Sequence, residues 1–233
     1  MAYYFLNEEL YFPPVEKTTS EGIIAIGGDL SAERLLLAYR SGIFPWFSEG
    51  EPIVWWSPDP RFVLYPPKII ISKSTKQLFK KKLFRVSMDT DFEQVIHHCR
   101  YIKREGQRGT WITKEMQKAY LNLHQLGYAH SVEVWEKENL VGGLYGISLG
   151  DMFFGESMFS KVSNASKYGF ITLVKILEEK GFSLIDSQVH TNYLESLGAE
   201  HIERATYMAH LQRALQKNTH LGSWQNWQKD VIF

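Results

Sequence analysis

The sequence predicts an α+β fold, and residues 142–188 give the clearest evidence for it. This stretch has the pattern strand, turn, strand, helix, strand. Gly150 and Asp151 form a hairpin dipeptide between two apolar runs, because both residues tolerate a positive φ. One face of the helix that follows is apolar at positions i, i+3, i+4 and i+7, which are Phe170, Leu173, Val174 and Leu177. Gly181 then ends the helix, and Leu184–Gln188 reads as the next strand.

The residues before position 100 add short strands and capped helices to this pattern. A strand over Ile23–Ile26 precedes a helix over Ala32–Arg40, which Ser31 caps. Two further strands, Ile53–Ser57 and Phe62–Tyr65, are joined by a turn rich in proline. The remaining predictions for this part are a strand over residues 69–71, a helix over 74–82, a strand over 84–88 and a helix that starts at Asp91.

After position 100 the sequence predicts helices on either side of a long hairpin. A basic loop over residues 103–110 leads to a helix that Thr113 caps, and strands over His130–Trp135 and Leu140–Leu149 follow. A short helix over residues 190–199 and a last helix from Thr206 come after the central stretch. We expect the polar tail from Lys217 to be loosely held. We also expect two domains, an N-terminal α/β domain over residues 1–100 and a catalytic domain over 101–233.

Composition is typical of a globular protein of the cytoplasm. The chain has 233 residues, a net charge of zero and one cysteine, so it has no internal disulfide framework. No signal peptide and no apolar run long enough to span a membrane is seen, so we expect no membrane partner. His97, His98 and Cys99 are neighbours in a predicted helix and point in different directions, so we expect no metal ligands and no cofactor.

Positive charge is concentrated in one segment of this neutral chain. Between Arg61 and Met88 there are eight basic residues and no acidic residue. Such a segment is typical either of a surface that binds nucleic-acid phosphates or of a solvated helix. Besides Arg61, its members are Lys68, Lys73, Lys76, Lys80, Lys81, Lys82 and Arg85.

Two carboxylates, Glu156 and Asp186, stand inside apolar strands that flank the central helix. A charge in such a place is costly unless it is paired or hydrogen-bonded. Each could cap a loop or pair with Lys167 or Lys175. Because Gln188 lies two residues after Asp186, the alternation of side chains along a strand places both on one face. We therefore expect a shared polar site.

Several blocks of the sequence resemble the leucyl/phenylalanyl-tRNA–protein transferase family. They are GGDLSAERLLLAYRSGIFPWF, WWSPDPR, GTWIT, GGLYGISLGDMFFGESMFS, NASK and LIDSQV, spread over residues 22 to 210. The resemblance implies a cytoplasmic enzyme with an acetyltransferase-like C-terminal domain behind a smaller N-terminal domain. It also implies transfer of Leu or Phe, and in some cases Met, from aminoacyl-tRNA to proteins with an N-terminal Arg or Lys, which marks them for degradation through the N-degron pathway.

The resemblance also implies roles for individual residues. Asp186 and Gln188 match residues that activate the acceptor amine, and Glu156 matches one beside the aminoacyl group. Trp46 and Trp111 match aromatics that hold the terminal adenosine, although by composition the segment Ile43–Phe47 suits a core plug equally well. The residues that match the lining of the family's pocket for the aminoacyl side chain are Leu144, Phe153, Phe170, Leu173, Leu177 and Ile185. The chain departs from the family pattern at position 193, where it has tyrosine and the family pattern has histidine.

A close variant of the implied function is another aminoacyl-tRNA-dependent ligase with a different amine acceptor, which a panel of acceptor peptides would distinguish. Two functions of other classes are also compatible with parts of the sequence. A coenzyme-A acyltransferase on the same fold would need a glycine-rich turn before the central helix, and residues 159–166 contain no glycine. A non-catalytic RNA-binding module would explain the basic segment and the aromatics but not Glu156, Asp186 and Gln188. A transfer assay with charged tRNA distinguishes the second alternative from an enzyme.

Overall fold

The computed structural model describes residues 3–102 and 110–227, and its main feature is a seven-stranded sheet. The predicted basic loop lies outside these ranges except for Thr110. The strands are β1 (Tyr4–Leu6), β2 (Ile23–Gly27), β3 (Phe44–Pro45), β4 (Val54–Trp56), β5 (Arg61–Leu64), β6 (Arg85–Met88), β7 (Ala129–Glu136), β8 (Asn139–Leu149), β9 (Met152–Ser160), β10 (Leu184–Asp186) and β11 (Glu200–Ile202). The helices are α1 (Ala32–Arg40), α2 (Lys73–Lys80), α3 (Phe92–Tyr101), α4 (Lys114–Gln125), α5 (Ala165–Glu179), α6 (Asn192–Glu195) and α7 (Arg204–Ala214).

The strands form two sheets, and the predicted α+β fold is confirmed. The larger sheet has the order β11-β5-β10-β9-β8-β7-β6, and the smaller one has the order β1-β2-β4-β3. In the larger sheet the pair β9–β10 is parallel and the other neighbours are antiparallel. β5 and β6 come from before residue 100 and the other five strands from after it. The division into domains at residue 100 stays a prediction.

The central stretch folds as predicted. β8 and β9 form a hairpin at Gly150, which has a φ of +56°, and α5 then carries the chain to β10 beside β9. Gly181 adopts a φ of +76° directly after α5, as a glycine that ends a helix should. Asn164 occupies the residue before α5, but the side chain that accepts from the first turn is Ser160, whose Oγ lies 3.1 Å from the amide nitrogen of Ser166.

Three other helices, α1, α3 and α4, begin where their capping residues predicted. Ser31 accepts from the amide of Arg34, Asp91 from that of Gln94, and Thr113 from that of Met116. α7 begins at Arg204, two residues before the predicted start. These side-chain acceptors satisfy amides that the first turn of a helix leaves without a partner, which is why helix starts were readable from the sequence.

The apolar side chains form two clusters, one for each group of helices. One cluster joins α1, α3 and α4 to the smaller sheet and includes Leu35, Ile96 and Tyr120. The other cluster surrounds α5 and includes Phe153 and Leu173. Among the described residues, no helix has both the length and the apolar character needed to cross a bilayer.

The strand predicted over residues 69–71 is wrong. Pro66–Lys68 forms a turn of 3-10 helix, and the chain then runs without strand pairing to α2. Pro66 and Pro67 favour this tight turn, and neither has a backbone N–H that could donate a hydrogen bond to a neighbouring strand. Ile70 still donates its amide to the carbonyl of Leu197, so the segment is anchored without joining a sheet.

The tail is not loosely held as far as it is described. Trp224 is 1% exposed and its ring stacks on that of His130, with centroids 3.6 Å apart. Its backbone amide donates to Asp89 Oδ2 at 2.7 Å, and His130 Nδ1 lies 2.9 Å from the same oxygen. A buried carboxylate therefore fastens the end of the described chain to the loop after β6.

We predict that Trp224→Ala lowers the free energy of unfolding by about 3–5 kcal/mol, because truncating a buried tryptophan loses its packing and leaves a cavity. The matched control is Leu221→Ala in the same segment, since Leu221 is 55% exposed. That change should stay within about 0.5 kcal/mol of the wild type. Denaturant unfolding of both variants measures the difference, and similar values for the two would contradict the anchoring of the tail.

Candidate active site

A cavity of about 410 Å³ lies where β9 and β10 stop pairing. The last paired residues are Phe154 on β9 and Asp186 on β10. Beyond that point, residues 155–158 of β9 and residues 187–189 after β10 line the cavity. Its other lining residues are Phe153 of β9, Ile185 of β10, two residues of β8, Phe170 of α5, the segment Phe44–Trp46, Trp111, Thr191, and Tyr193 and Leu194 of α6.

A β-bulge points Glu156 into this cavity. In the register of β8 and β9, Gly146 faces Gly155 and Tyr145 faces Ser157, so Glu156 is the extra residue. A bulge turns the side chain of the extra residue away from the regular alternation. Glycine is needed opposite the bulge, because a Cβ at Gly146 would lie 2.2 Å from the carbonyl oxygen of Phe154.

Two tyrosines and a glutamine contact the carboxyl group of Glu156. The hydroxyl of Tyr39 on α1 lies 2.7 Å from Oε1, and that of Tyr120 on α4 lies 2.9 Å from Oε2. The Nε2 of Gln188 donates to Oε1 at 3.3 Å. Burial raises the pKa of Glu156 to about 7, whereas Arg61 and the two tyrosine hydroxyls, as long as both donate to the carboxylate, act to lower it.

Asp186 faces a different partner, the guanidinium of Arg61 on β5. Arg61 Nε donates to Oδ1 at 2.9 Å and Nη2 donates to Oδ2 at 2.7 Å, which is a bidentate ion pair. The hydroxyl of Tyr207 on α7 donates to Oδ2 at 2.8 Å. Both charged side chains are buried, at 1% and 0% exposed. Asp186 is not among the residues that line the cavity.

Gln188 connects the two carboxylates. It follows β10 with a φ of +57°, and its backbone amide donates to Asp186 Oδ1 at 2.9 Å. Its side chain reaches Glu156 and lines the cavity. The alternation of a regular strand does not extend this far, because β10 ends at Asp186. The predicted strand alternation is therefore wrong at Gln188, and the turn of the backbone there is what lets Gln188 contact both Asp186 and Glu156. That these three residues form a functional site stays a prediction.

Most of the predicted substrate-binding residues line the cavity. Trp46 and Trp111 do so, together with Leu144, Phe153, Phe170 and Ile185. Leu173 and Leu177 are fully buried further along α5 and are not part of the lining. Leu173 and Leu177 lie on the same face of α5 as Phe170, but further along the helix and away from the cavity. Helical spacing therefore identified the buried face of α5 but could not show which of its residues line the cavity.

The two tryptophans differ in their settings. Trp46 is 40% exposed and its ring lies 5.7 Å from that of Trp56, which donates from Nε1 to the carbonyl of Trp46 at 2.7 Å. Trp111 is half-buried beside the start of α4. Trp46 is therefore held by its neighbour while part of its ring remains accessible.

The basic segment is exposed with one exception. Arg61 was counted with it, but Arg61 is buried in the ion pair with Asp186. The exposed members are Lys68, Lys73, Lys76, Lys80, Lys81, Lys82 and Arg85, which lie on α2 and on either side of it. Lys68 pairs with Glu200 at 2.7 Å, and Arg85 lies over the ring of Trp135.

Sequence reasoning missed the tyrosines that hold the carboxylates. Tyr39 and Tyr207 lie at apolar helix positions, where a hydroxyl gives no signal that distinguishes it from the core. Tyr193 was noted only as a departure from the family pattern, and it lines the cavity. Burial raises the pKa of Tyr193.

The histidines of α3 contact other side chains of the structure. His98 Nε2 lies 2.9 Å from Lys161 Nζ, and Cys99 is buried. Within residues 3–102 and 110–227, no group of three or more His, Cys, Asp or Glu side chains is arranged so that it could hold a metal ion.

Comparisons with known proteins agree over most of the chain. A family model described as "Leucyl/phenylalanyl-tRNA protein transferase" matches residues 63–212, and a second one for the N-terminal domain of that protein matches residues 28–59. A protein named leucyl/phenylalanyl-tRNA–protein transferase from Flavobacterium johnsoniae is 57% identical over 88% of this chain and 97% of its own length. Proteins of the same name from Syntrophus aciditrophicus and Pseudomonas fluorescens are each 55% identical, over 94% and 92% of this chain and over 92% and 95% of their own lengths respectively.

Similarity to solved structures is much weaker. The structure of L-PGS from Bacillus licheniformis aligns with 74% of this chain and 55% of its own, at 14% identity and a TM-score of 0.39. A score of this size supports no argument about fold or function.

The buried ion pair leads to a prediction about stability. Arg61→Met should lower the free energy of unfolding by about 3–5 kcal/mol, because it leaves Asp186 charged and buried without its counterion. The matched control is Lys68→Met, which breaks a pair whose side chains are 61% and 45% exposed. Exposed pairs contribute at most about 1 kcal/mol. Chemical denaturation compares the two variants, and a small loss for Arg61→Met would mean that Asp186 finds another partner.

Proposed function

Because the chain belongs to the leucyl/phenylalanyl-tRNA–protein transferase family, we propose that its 410 Å³ cavity is where aminoacyl-tRNA and the acceptor protein meet. The enzyme is an aminoacyltransferase that moves Leu or Phe from aminoacyl-tRNA to the N-terminal Arg or Lys of proteins. One observation carries this placement. The cavity combines an apolar wall, two tryptophans and the polar pair Glu156 and Gln188.

The apolar wall is assigned to the side chain of the transferred residue. Leu144, Phe153, Phe170 and Ile185 come from four different elements and surround a space that a branched or aromatic side chain can fill. Burying such a side chain contributes about 1.5–3 kcal/mol. The four residues of this wall are all apolar, so it can accept the apolar side chain of either Leu or Phe. The same argument admits Met as a third substrate.

Trp46 and Trp111 are assigned to the terminal adenosine of the tRNA. Both line the cavity, and the ring of Trp46 remains partly exposed. An aromatic face beside a cavity suits a nucleobase, because stacking contributes about 1–3 kcal/mol per base. With the base held there, the ester carbon of the donor lies within the cavity that Glu156 and Gln188 line.

The chemistry requires alignment more than activation. The aminoacyl ester is already reactive, and an α-amine has a pKa of about 8, so an appreciable fraction is neutral near pH 7. Holding amine and ester in register can lower the barrier by about 7–11 kcal/mol. We assign the orientation of the amine to Gln188 and the position beside the aminoacyl group to Glu156. Asp186 acts through Gln188, whose backbone amide it accepts, and is therefore a positioning residue.

The surroundings of the site are assigned by the same reasoning. The exposed basic residues on and around α2 would contact tRNA phosphates, because cations at a surface release the counterions of a nucleic acid. The central β8–β9–α5–β10 unit supports an acetyltransferase-like C-terminal domain, and the family resemblance supports a smaller N-terminal domain and a place in the cytoplasm. Family membership leaves the coenzyme-A acyltransferase and the non-catalytic RNA-binding module without support.

The placement of the substrate is tested by removing one stacking surface. We predict that Trp111→Ala raises the KM for a short aminoacyl-adenosine donor by about ten- to a hundredfold, the equivalent of one lost base stack. The control is Trp227→Ala, since Trp227 lies outside the cavity lining. Steady-state transfer to a peptide with an N-terminal Arg gives both values. A normal KM for Trp111→Ala would place the adenosine elsewhere.

The tRNA surface is tested by reversing charge on the basic segment. Changing Lys80, Lys81 and Lys82 together to Glu should raise the KM for charged tRNA and reduce the slope of binding against salt, because fewer phosphates are neutralised. The short aminoacyl-adenosine donor should be used normally.

The control for this test reverses three exposed lysines elsewhere, Lys114, Lys118 and Lys137, and so changes the net charge equally. An equal loss for the two triple variants would show that only net charge matters. An equal loss with both donors would show that the segment does not contact tRNA.

A further inference from the structure

The oxygens of Glu156, Tyr39 and Tyr120 form a closed ring of three contacts. Tyr39 contacts Oε1 at 2.7 Å, Tyr120 contacts Oε2 at 2.9 Å, and the two hydroxyl oxygens are 2.5 Å apart. All three distances lie within the range for an O–H···O hydrogen bond, about 2.5–3.0 Å. The two tyrosines come from different helices and are both fully buried, so the packing of α1 and α4 fixes their separation.

A count of hydrogens shows what this ring requires. Three O···O contacts need three hydrogens, and each tyrosine hydroxyl supplies one. If Glu156 were ionised and both tyrosines donated to it, the two hydroxyl oxygens would face each other at 2.5 Å with no hydrogen between them. A protonated Glu156 supplies the third hydrogen. It then donates to one tyrosine, which donates to the other, which donates back to the carboxyl group.

We propose that Tyr39 and Tyr120 are positioning residues that keep a proton on Glu156, and that Glu156 gives this proton to the ribose oxygen of the tRNA as the ester bond breaks. The first part rests on the ring itself, and the second part rests on the proposed function of the cavity. Among the described residues, Glu156 is the one carboxylic acid that lines the cavity. Asp186 is not part of the lining and is paired with Arg61.

The charged and titratable groups around Glu156 are compatible with this state. Tyr39 approaches from α1, Tyr120 from α4 and Tyr145 from β8, and burial raises the pKa of Tyr39 and of Tyr120, so both remain hydroxyl donors. Asp186 on β10 opposes a second negative charge, while Arg61 on β5 favours one. Arg61 is already matched by Asp186 in a bidentate pair, so its positive charge is largely balanced before it acts on Glu156.

The transfer then balances without a further reactant. The amine nitrogen uses its electron pair to form the C–N bond, and the C–O bond to the ribose breaks with its pair going to the ribose oxygen. That oxygen takes the proton of Glu156. The nitrogen, which carries one hydrogen too many after the attack, returns a proton to Glu156. The products are an amide and a free ribose hydroxyl, and the ring is again complete.

The protonation of Glu156 can be measured without the reaction. Infrared spectra of the substrate-free enzyme, taken as differences between the wild type and Glu156→Gln, report the carbonyl stretch of a protonated carboxyl group over a pH series. The wild type should titrate near the pKa of about 7 that burial favours. Tyr39→Phe and Tyr120→Phe each remove one oxygen from the ring, so each should shift this titration to lower pH by about one unit, the equivalent of one hydrogen bond.

The opposite shift would overturn the ring. If the tyrosines were only donors to an ionised carboxylate, each Phe variant would raise the pKa of Glu156. An unchanged titration would equally contradict the proposal. Tyr65→Phe is the control for loss of a phenol oxygen, because Tyr65 contacts His210 and lies outside the cavity lining. It should leave the titration where it is.

The second test asks whether Glu156 gives its proton to the leaving group of the ester. With aminoacyl-adenosine as donor, Glu156→Gln should lower kcat by about 10²–10⁴-fold, the usual contribution of a general acid. With a nitrophenyl ester of Phe, whose phenolate leaves without a proton, the loss should nearly vanish. An equal loss with both esters would overturn the proposal, because the contribution of Glu156 would then not depend on the leaving group. Failure of the wild type to transfer from either donor would contradict the proposed function and leave the infrared result to decide on the ring.

Discussion

The site depends on the buried ion pair between Arg61 and Asp186. Two charges away from water are stable only if their geometry is good and their remaining groups are satisfied. Here the pair is bidentate, Tyr207 donates to the carboxylate, and the guanidinium also donates to the carbonyl of Gly42. These contacts join β5, β10, α7 and the segment that leads to the aromatic wall of the cavity. The amide of Gln188 is held by the same carboxylate, so the polar edge of the cavity is fixed by an interaction that lies outside it.

The two carboxylates thus have different environments, although they lie on the neighbouring strands β9 and β10. Asp186 faces a guanidinium, whereas Glu156 faces two phenols and an amide. Burial raises the pKa of Glu156 to about 7, which is where a group that both gives and takes a proton works best. Separating carboxylates by their surroundings is a general way to give them different roles. In this fold the separation comes from a bulge in β9 and from the end of β10.

The sequence predicted the parts of the fold that are determined locally. The β8–β9 hairpin, α5 and the helix starts were readable because glycine turns, capping side chains and apolar spacing act within a few residues. β1 and β11 were missed because each has three residues and pairs with a distant segment. Arg61 was counted with the surface because a basic segment gives no sign of which member turns inward. Trp224 was missed because its partners, Asp89 and His130, lie far away along the chain.

The residues that hold the site are also residues of the core, and this limits how its chemistry can be dissected. Tyr39, Tyr120 and Tyr207 are fully buried, and each carries one oxygen that touches a carboxylate. Truncation to Ala would remove a ring as well as the oxygen, and a loss of packing would hide any effect on protonation. Replacement by Phe removes the oxygen alone and keeps the volume. The same tyrosine side chains stabilise the fold and contact the carboxylates. Only a substitution that removes the hydroxyl oxygen and keeps the ring can therefore separate an effect on the reaction from an effect on stability.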